Sequence, residues 1–406
     1  MSALAMILAS QGYSVSGSDK KANNNIERLI SNGIKIFKNQ AEINIKTICE
    51  DHKKPTLIVI SSAISDQNLE LKAALKANLT ILHRSEVLAC MIASHESLVV
   101  AGSHGKTTTS TFLTTLFAIS KEDPTVAVGG IIPYYNSNSN IGKGNYFIAE
   151  ADESDGTLTR FHPKIGIITN IDLDHIDHYQ NIEQLINTMK HFGGNCGKLI
   201  INNDCKIAKE RLEADACFSI KETKEVNFSA IPTKLDGKQT IANYYEEGRF
   251  ISIINSPIPG LHNLSNLLAA ISVCRLSGIP FEKLQNGIQS IKSPARRFQF
   301  KGLWNERLII DDYAHHPSEI KAAISMANLM LNKSKSILPK SPRRLIVVFQ
   351  PHRFSRTKNF LNAFAKSFAE FDLAGIILAP IYSAGEEDIK SVNSDSLCQK
   401  IKDLKP

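Results

Sequence analysis

The run Val99-Val100-Ala101-Gly102-Ser103-His104-Gly105-Lys106-Thr107-Thr108-Thr109 passes from apolar residues through glycines and a Lys-Thr pair into a helical pattern. Backbone N–H groups of such a loop, with the N-terminus of the following helix, form a cradle for phosphate. Lys106 would neutralise the β/γ charge of a nucleoside triphosphate, and the Thr107 hydroxyl would ligate Mg2+. Gly102, Ser103, His104, Gly105, Lys106, Thr107 and Thr108 are therefore candidate nucleotide-binding residues. The match to the phosphate-loop pattern is incomplete, because Val100 stands where its first glycine belongs. The alternative is a generic strand–turn–helix with an incidental lysine; the strand before and the helix after favour the phosphate loop. The loop does not separate a kinase, a motor, a switch or a ligase.

Two polar clusters follow, each at the end of an apolar strand pattern. Glu150-Ala151-Asp152-Glu153-Ser154-Asp155 offers hard oxygens suited to Mg2+; in isolation it would read as a solvated acidic turn. Thr169 to His178, with Asp172, Asp174, His175, Asp177 and His178, could be a metal-dependent hydrolase site. Beside a phosphate loop, a second cation near the γ-phosphate is the better reading. In Pro259-Gly260-Leu261-His262-Asn263-Leu264-Ser265-Asn266, His262 and Asn266 are four apart and could share a face of a helix start. Simple N-capping by Asn263 explains that stretch equally well. Further on, Arg296-Arg297-Phe298, Asp311-Asp312-Tyr313-Ala314-His315-His316-Pro317 and Gln350 to Thr357 concentrate His, Arg and Asp; the last two follow strand patterns. Arginines of this kind suit bidentate capture of carboxylate and phosphate.

The elements that must position these groups alternate between helix and strand. Residues 1–12 read as a helix ended by Gly12, followed by a strand over 13–16, a helix over 26–32, a strand over 57–62 and a helix over 68–77. That is the rhythm of an α/β chain with a parallel sheet, which binds ligands at the carboxyl ends of its strands. Strands also fit residues 98–101, 146–149, 165–169, 198–201, 250–254, 308–310, 344–349 and 374–379. Helices fit the residues after 108, the segment leading from Gly260 to Ser277, 318–331 and 358–371, and the Ser, Lys and Pro of 332–342 read as an exposed connection. Three units result: 1–95, 96–293 and 294–406. A chain of 406 residues fits two to four domains.

With 43% hydrophobic and 21% charged residues the chain is globular rather than disordered. Its net charge of +7 is spread out, with no Lys/Arg stripe interleaved with aromatics, so nucleic acid is a poor partner. The seven cysteines fall in no C-x-x-C pair, which predicts reduced thiols in a cytoplasm rather than a disulfide framework or zinc site. No apolar run approaches the ~20 residues of a membrane span. Met1–Ser10 lacks the positive flank of a signal peptide and reads as a domain-opening helix. Nothing here sets an oligomeric state.

The order GSHGKTTT, EADESD, TNIDLDHIDHY, GLHNLSN, RRF, DDYAHHPSEI, QPHRFSRT and IYSAGE resembles the Mur ligase family, from Met1 to the end. The first three strings are shared loosely across that family and folylpolyglutamate synthetases; DYAHHP and QPHRFSRT are narrower. EADESD and DHIDHY favour the branch that joins L-alanine to UDP-N-acetylmuramate over the one that recycles the murein tripeptide. The resemblance implies a three-domain α/β architecture: a Rossmann-like UDP-binding domain, a central ATPase and a C-terminal Rossmann-like domain. It implies ATP and Mg2+, and phosphorylation of a carboxylate that an amine then attacks. By matching motif, Lys106 holds phosphates, Thr107 and Glu150 bind one Mg2+, His175 a second, and His262 and Asn266 contact the nucleotide. Arg297 resembles an arginine that reaches the ATP phosphates. Tyr313, His315, Arg353 and Arg356 look like the group positioning the muramate and alanine carboxylates, and Asp19, Ser61 and Ser62 are expected on the UDP-substrate side. Lys106, Glu150, His175, Arg297 and His315 are the expected catalytic set. Position 103 is Ser where the family commonly has Thr. The family's first strand and Gly-rich loop precede the residues matching Met1-Ser2, and its last strand and helix lie beyond Pro406. The competing expectation is therefore a non-catalytic nucleotide-binding remnant, with UDP binding weakened.

Overall fold

Short apolar runs such as Ile165–Ile168 and Leu199–Ile201 are too short for helices and carry apolar groups toward both faces, the pattern of strands inside a covered sheet. The structure, a computed structural model, describes residues 1–20, 23–51, 56–176, 178–331, 337–339 and 342–405. Its centre is a ten-stranded sheet in the order Arg249–Ser256, Thr240–Glu246, Phe228–Leu235, Ala216–Ser219, Lys198–Asn202, Ile165–Ile168, Glu96–Ala101, Tyr146–Glu150, Thr125–Ile132, Ser137–Asn140. Strands from Phe228–Leu235 to Thr125–Ile132 pair in parallel, and both edges are antiparallel.

The strand Glu96–Ala101 shows how the sequence builds two layers. Leu98 and Val100 enter one core with Phe112, Leu116, Leu264 and Leu268, from the helices Lys106–Ile119 and Leu261–Leu276. Val99 and Ala101 enter the other with Leu88, Ile92, Leu185 and Met189, from the helices Arg84–Ala93 and Ile182–Gly194. That is the period of two that a strand imposes. The first helix, Ser2–Ser10, adds Ala3, Leu4 and Ile7 to the second core. At the other end of the chain, Met326 and Met330 of the helix Pro317–Met330 are fully buried in the first.

On either side lie smaller units. Ser16–Ser18 pairs in parallel with Lys35–Phe37, and Leu57–Ile60 with Thr80–His83. Beyond residue 296, Gln299–Trp304 and Arg307–Asp311 form an antiparallel hairpin, and Ile346–Phe349 pairs in parallel with Gly375–Leu378. Among the described residues no helix is long and apolar enough to cross a membrane, and all seven cysteines are free thiols.

The strand expected over 13–16 begins instead at Ser16, because Gly12, at φ +86°, and Tyr13 donate their N–H groups back to Ala9 and Leu8 and so finish the first helix. The helix expected over 358–371 is two, Phe354–Asn359 and Leu361–Ala369, with a break at Phe360. The connection 332–342 is not wholly exposed. The N–H of Ile337 donates to the carbonyl of Gly237 at 3.0 Å, and Leu338 packs against the central core; residues 332–336, 340 and 341 lie outside the described residues.

Candidate active site

The phosphate loop turns where its glycines let it. Gly102 has φ +121°, and a Cβ there would stand 2.2 Å from Thr169 Oγ1 and 2.9 Å from the Thr169 nitrogen. Gly105 has φ +84°, and its missing Cβ leaves room for Asn266, whose Oδ1 would be 2.5 Å away. Only the first collision is with fixed backbone. Gly102→Ala is therefore expected to cost the fold about 1–3 kcal/mol from the left-handed backbone alone, and more as Thr169 is displaced. A thermal melt within a degree or two of the parent would contradict this.

Lys106 opens the helix Lys106–Ile119. Its Nζ donates to the carbonyls of Gly102 (2.8 Å) and Ser103 (3.1 Å) and to Glu153 Oε2 (2.6 Å). Burial works against the ammonium, but Glu153, Asp152 and Glu150 outweigh it and hold its pKa above the usual value. Glu153, which the sequence reading did not single out, is 1% exposed and so stands where an anion faces Lys106. Thr107 Oγ1 donates to Glu150 Oε2 at 3.1 Å, and Glu150 is pressed against Gly129, where a Cβ would come within 2.9 Å. Burial pushes the Glu150 carboxyl above its ordinary range. Glu150 Oε1 and Glu153 Oε1 are buried with no hydrogen-bond partner among the described residues. Asp152, Glu153 and His175 each offer a ligand atom within 4.8 Å of the others. Orphaned carboxylate oxygens beside a threonine hydroxyl are a donor set that suits Mg2+. His178 of the same polar run lies in T-shaped contact with Tyr179, and Asp177 lies outside the described residues.

Around this centre the last third of the chain closes. Asp174, beside His175, accepts from Arg356 Nε at 2.7 Å, and both side chains are 5% exposed. His315 Nε2 is 3.9 Å from the same carboxylate. Arg356, expected to hold a substrate carboxylate, donates to Asp174, 182 residues away, and lies 3.2 Å from His352 Nδ1. Glu319 gathers Arg297 Nη1 (3.2 Å), the His315 N–H (3.0 Å) and His104 Nδ1 (3.8 Å). Burial opposes the Glu319 carboxylate, but His104, His315 and Arg297 outweigh it and hold its pKa well below the usual value. Arg353 starts the helix Phe354–Asn359 at φ +70°, ψ +140°, a region rarely open to a side chain. Tyr313 is exposed, with the Arg296 guanidinium 4.7 Å and the Arg297 guanidinium 5.9 Å from its ring centroid.

A cleft of about 430 Å³ opens beside the loop, and His104, Gly105, Thr108, His262, Asn266 and Arg297 are on its wall. It lies within the size range of small-ligand sites. His262 and Asn266 do share one face of the helix Leu261–Leu276; Asn263 does not cap that helix, since its Nδ2 turns back to the Pro259 carbonyl at 2.8 Å. Burial and the charge of Arg297 push the His262 pKa down to about 4, so it faces the cleft as a neutral ring. The wall also contains Asn170, Asp204, Phe218, Ser318 and Glu319, which the motif reading did not single out. Asn170 could have been found, since it directly follows an apolar strand beside the loop.

The first-domain residues stand apart from this cleft. Asp19 is exposed just beyond the strand Ser16–Ser18, and Ser61 follows Leu57–Ile60. Ser62 donates to Asp155 Oδ2 at 3.0 Å, beside Arg84, whose Nη2 is 3.7 Å from Asp152. The acidic run thus receives one domain through Ser62 and Arg84 and the phosphate loop through Lys106.

Comparison with known proteins agrees with this layout. The family model for the Mur ligase middle domain matches residues 100–274, that for the Mur ligase family, catalytic domain, residues 1–96, and that for the Mur ligase, glutamate ligase domain, residues 296–405. A UDP-N-acetylmuramate--L-alanine ligase of Prochlorococcus marinus (strain MIT 9303) is 51% identical over 402 residues, 99% of this chain and 82% of that protein. One from Synechococcus sp. (strain CC9311) is 49% identical over 406 residues, 100% of this chain and 84% of its own. Among solved structures, the UDP-N-acetylmuramate-alanine ligase of Thermotoga maritima superposes with a TM-score of 0.79 at 23% identity, covering 100% of this chain and 86% of that one. A murein peptide ligase of Psychrobacter arcticus gives 0.69 at 18% identity, covering 100% and 96%; at these identities the likeness is one of fold. The order of motifs, the matched domains and half-identical relatives aligned along nearly the whole sequence place this chain in the Mur ligase family.

Proposed function

We propose that this chain joins L-alanine to the lactoyl carboxylate of UDP-N-acetylmuramate with conversion of ATP to ADP and phosphate, a step in peptidoglycan precursor synthesis. The observation that carries this reading is the meeting, between two domains, of a phosphate loop, orphaned carboxylate oxygens and the His/Arg-rich strand ends of the third unit. Relatives of that activity at about half identity support it. In this reading residues 1–95 receive the UDP substrate, 96–293 the ATP, and 294–406 the amino acid, in the cytoplasm.

A carboxylate does not acylate an amine unaided; phosphorylating it supplies a leaving group, and the amine then displaces phosphate. Lys106 and the loop N–H groups between Gly102 and Thr108 hold the β- and γ-phosphates, and Arg297 approaches from the far wall of the cleft. His262 and Asn266 meet the nucleoside side. Thr107 and Glu150 would hold one Mg2+, and His175 with Glu153 a second. Bound there, Mg2+ screens the two anions that must approach each other. Tyr313, His315 and Arg353 orient the acceptor carboxylate and the amine. Asp172 and Asp174 of that run accept from different residues, Ser318 and Arg356, and do not converge on each other, which argues against a hydrolase site built on that run alone.

The test is phosphate release from ATP and Mg2+ with UDP-N-acetylmuramate and L-alanine added singly and together. Release only with both is the expected result. Release that ignores L-alanine, or nucleotide binding with no release at all, would overturn the reading, the latter in favour of a non-catalytic nucleotide-binding chain.

A further inference from the structure

Asp172 Oδ2 collects three partners that the reaction above does not use. His104 Nε2 lies 3.2 Å away, Ser318 Oγ donates at 2.6 Å, and His316 Nδ1 lies 3.6 Å away. The two imidazoles lie against each other, ring centroids 4.7 Å apart. One ligand atom from each of His104, Asp172 and His316 falls within 4.8 Å of the others. Around a tetrahedral ion with N and O ligands at about 2.1 Å, ligand atoms stand roughly 3.4 Å apart, so the two distances to Asp172 already bracket that geometry.

Two further details point to a cation. His316 Nδ1 faces Asp172 Oδ2 and otherwise has only a long 3.4 Å contact from the Ser318 N–H, which an ion bound at Nδ1 would have to displace. His316 is 3% exposed, and its Nε2 has no hydrogen-bond partner among the described residues, so this ring is spent on no other contact through that atom. On the other side, His104 turns Nδ1 toward Glu319 Oε1 at 3.8 Å. A carboxylate behind the second ring nitrogen is the usual support of a metal-bound histidine.

We propose that His104, Asp172 and His316 form a site for one transition-metal ion of the Zn2+ class, separate from the Mg2+ ligands. Two imidazoles and one carboxylate favour such an ion over Mg2+, which prefers oxygen alone. The ligands come from the phosphate loop, from the segment after Ile165–Ile168 and from the residue that caps the helix Pro317–Met330. The ion staples the phosphate loop to the third unit.

The experiment needs no substrate, so its outcome is independent of the ligase reading. The full chain, stripped with chelator and with its thiols blocked, is dialysed against Zn2+ in excess Mg2+. One Zn2+ per chain is expected, with a raised melting temperature, and Co2+ in its place should give the visible spectrum of a tetrahedral site without sulfur. His104→Gln and His316→Gln should each weaken binding at least ~100-fold, and Glu319→Gln roughly 10–100-fold, as outer-shell losses do. His175→Ala should leave it unchanged. Circular dichroism checks each variant's fold, and His104, on a partly exposed loop, decides the matter if the His316 variant does not fold. No stoichiometric Zn2+, or Zn2+ held equally well by His104→Gln, overturns the site.

Discussion

Replacing Lys106 by alanine is expected to lower ATP turnover on the order of 10³-fold or more, the scale seen when a cation is withdrawn from a transferring phosphoryl group. The change has a second effect that a phosphate loop alone would not foretell. Lys106 neutralises Glu153, which is 1% exposed. Removing one partner of a buried pair costs roughly 3–5 kcal/mol. Part of that is relieved if Glu153 takes up a proton, which burial already favours. The Lys106→Ala melting temperature should therefore fall, and a Lys106→Met, Glu153→Gln double variant should recover it while remaining inactive. Phosphate release and a thermal melt on the two variants separate these roles. A Lys106→Ala chain with the parent's rate would remove the loop from the chemistry.

Arg356→Ala should have the largest effect on structure. It strips the partner from Asp174 in a place closed to water, and a loss of about 3–5 kcal/mol is expected. The two residues belong to different units, so the loss is one of docking as well as folding. Activity should fall with it, because His315 and His175 both border the same carboxylate. The pH dependence gives a sharper check. Burial opposes the Asp174 carboxylate, but Arg356 and His175 hold its pKa below the ordinary value. The pair's stabilisation is thus present above that ordinary value and is lost as pH falls through the carboxylate range. In Arg356→Ala the bare carboxylate is disfavoured, so acid should stabilise the variant relative to neutral pH. Melts at both pH values that move in parallel for parent and variant would show that the pair carries no such weight.

What could be read from the sequence was local. The strand before Gly102, the helix after Thr107 and the strands ahead of Glu150 and Thr169 are contiguous patterns, and each places its polar cluster at a strand end. The order of short strings was enough to bring out the family resemblance. What escaped is pairing over distance. Nothing in the runs that contain Asp174 and Arg356 says that they meet, and an exposed substrate-binding arginine is spelled the same way as a buried one. Glu153 lies three residues from Glu150 in one acidic run, and only the turn of the backbone beyond the strand Tyr146–Glu150 decides which faces Lys106. The strand Phe228–Leu235, antiparallel to Thr240–Glu246, was missed because Pro232, Thr233 and Lys234 interrupt its alternation at a bulge. Leu338 was hidden in a Ser/Lys/Pro stretch that reads as a loop.

The two methionines that the helix Pro317–Met330 lends to the central core have a bearing on motion. Met330 is 0% and Met326 2% exposed, and Met326 also lines the cleft beside Asn263. Swinging the third unit away would uncover both, at about 1.5–3 kcal/mol for each side chain, before the Arg356 pair is counted. A gap of that size leaves the parted arrangement in the minority by a hundredfold or more. Burial of these two methionines therefore favours the closed arrangement, and parting the third unit from the central core is a movement that costs free energy.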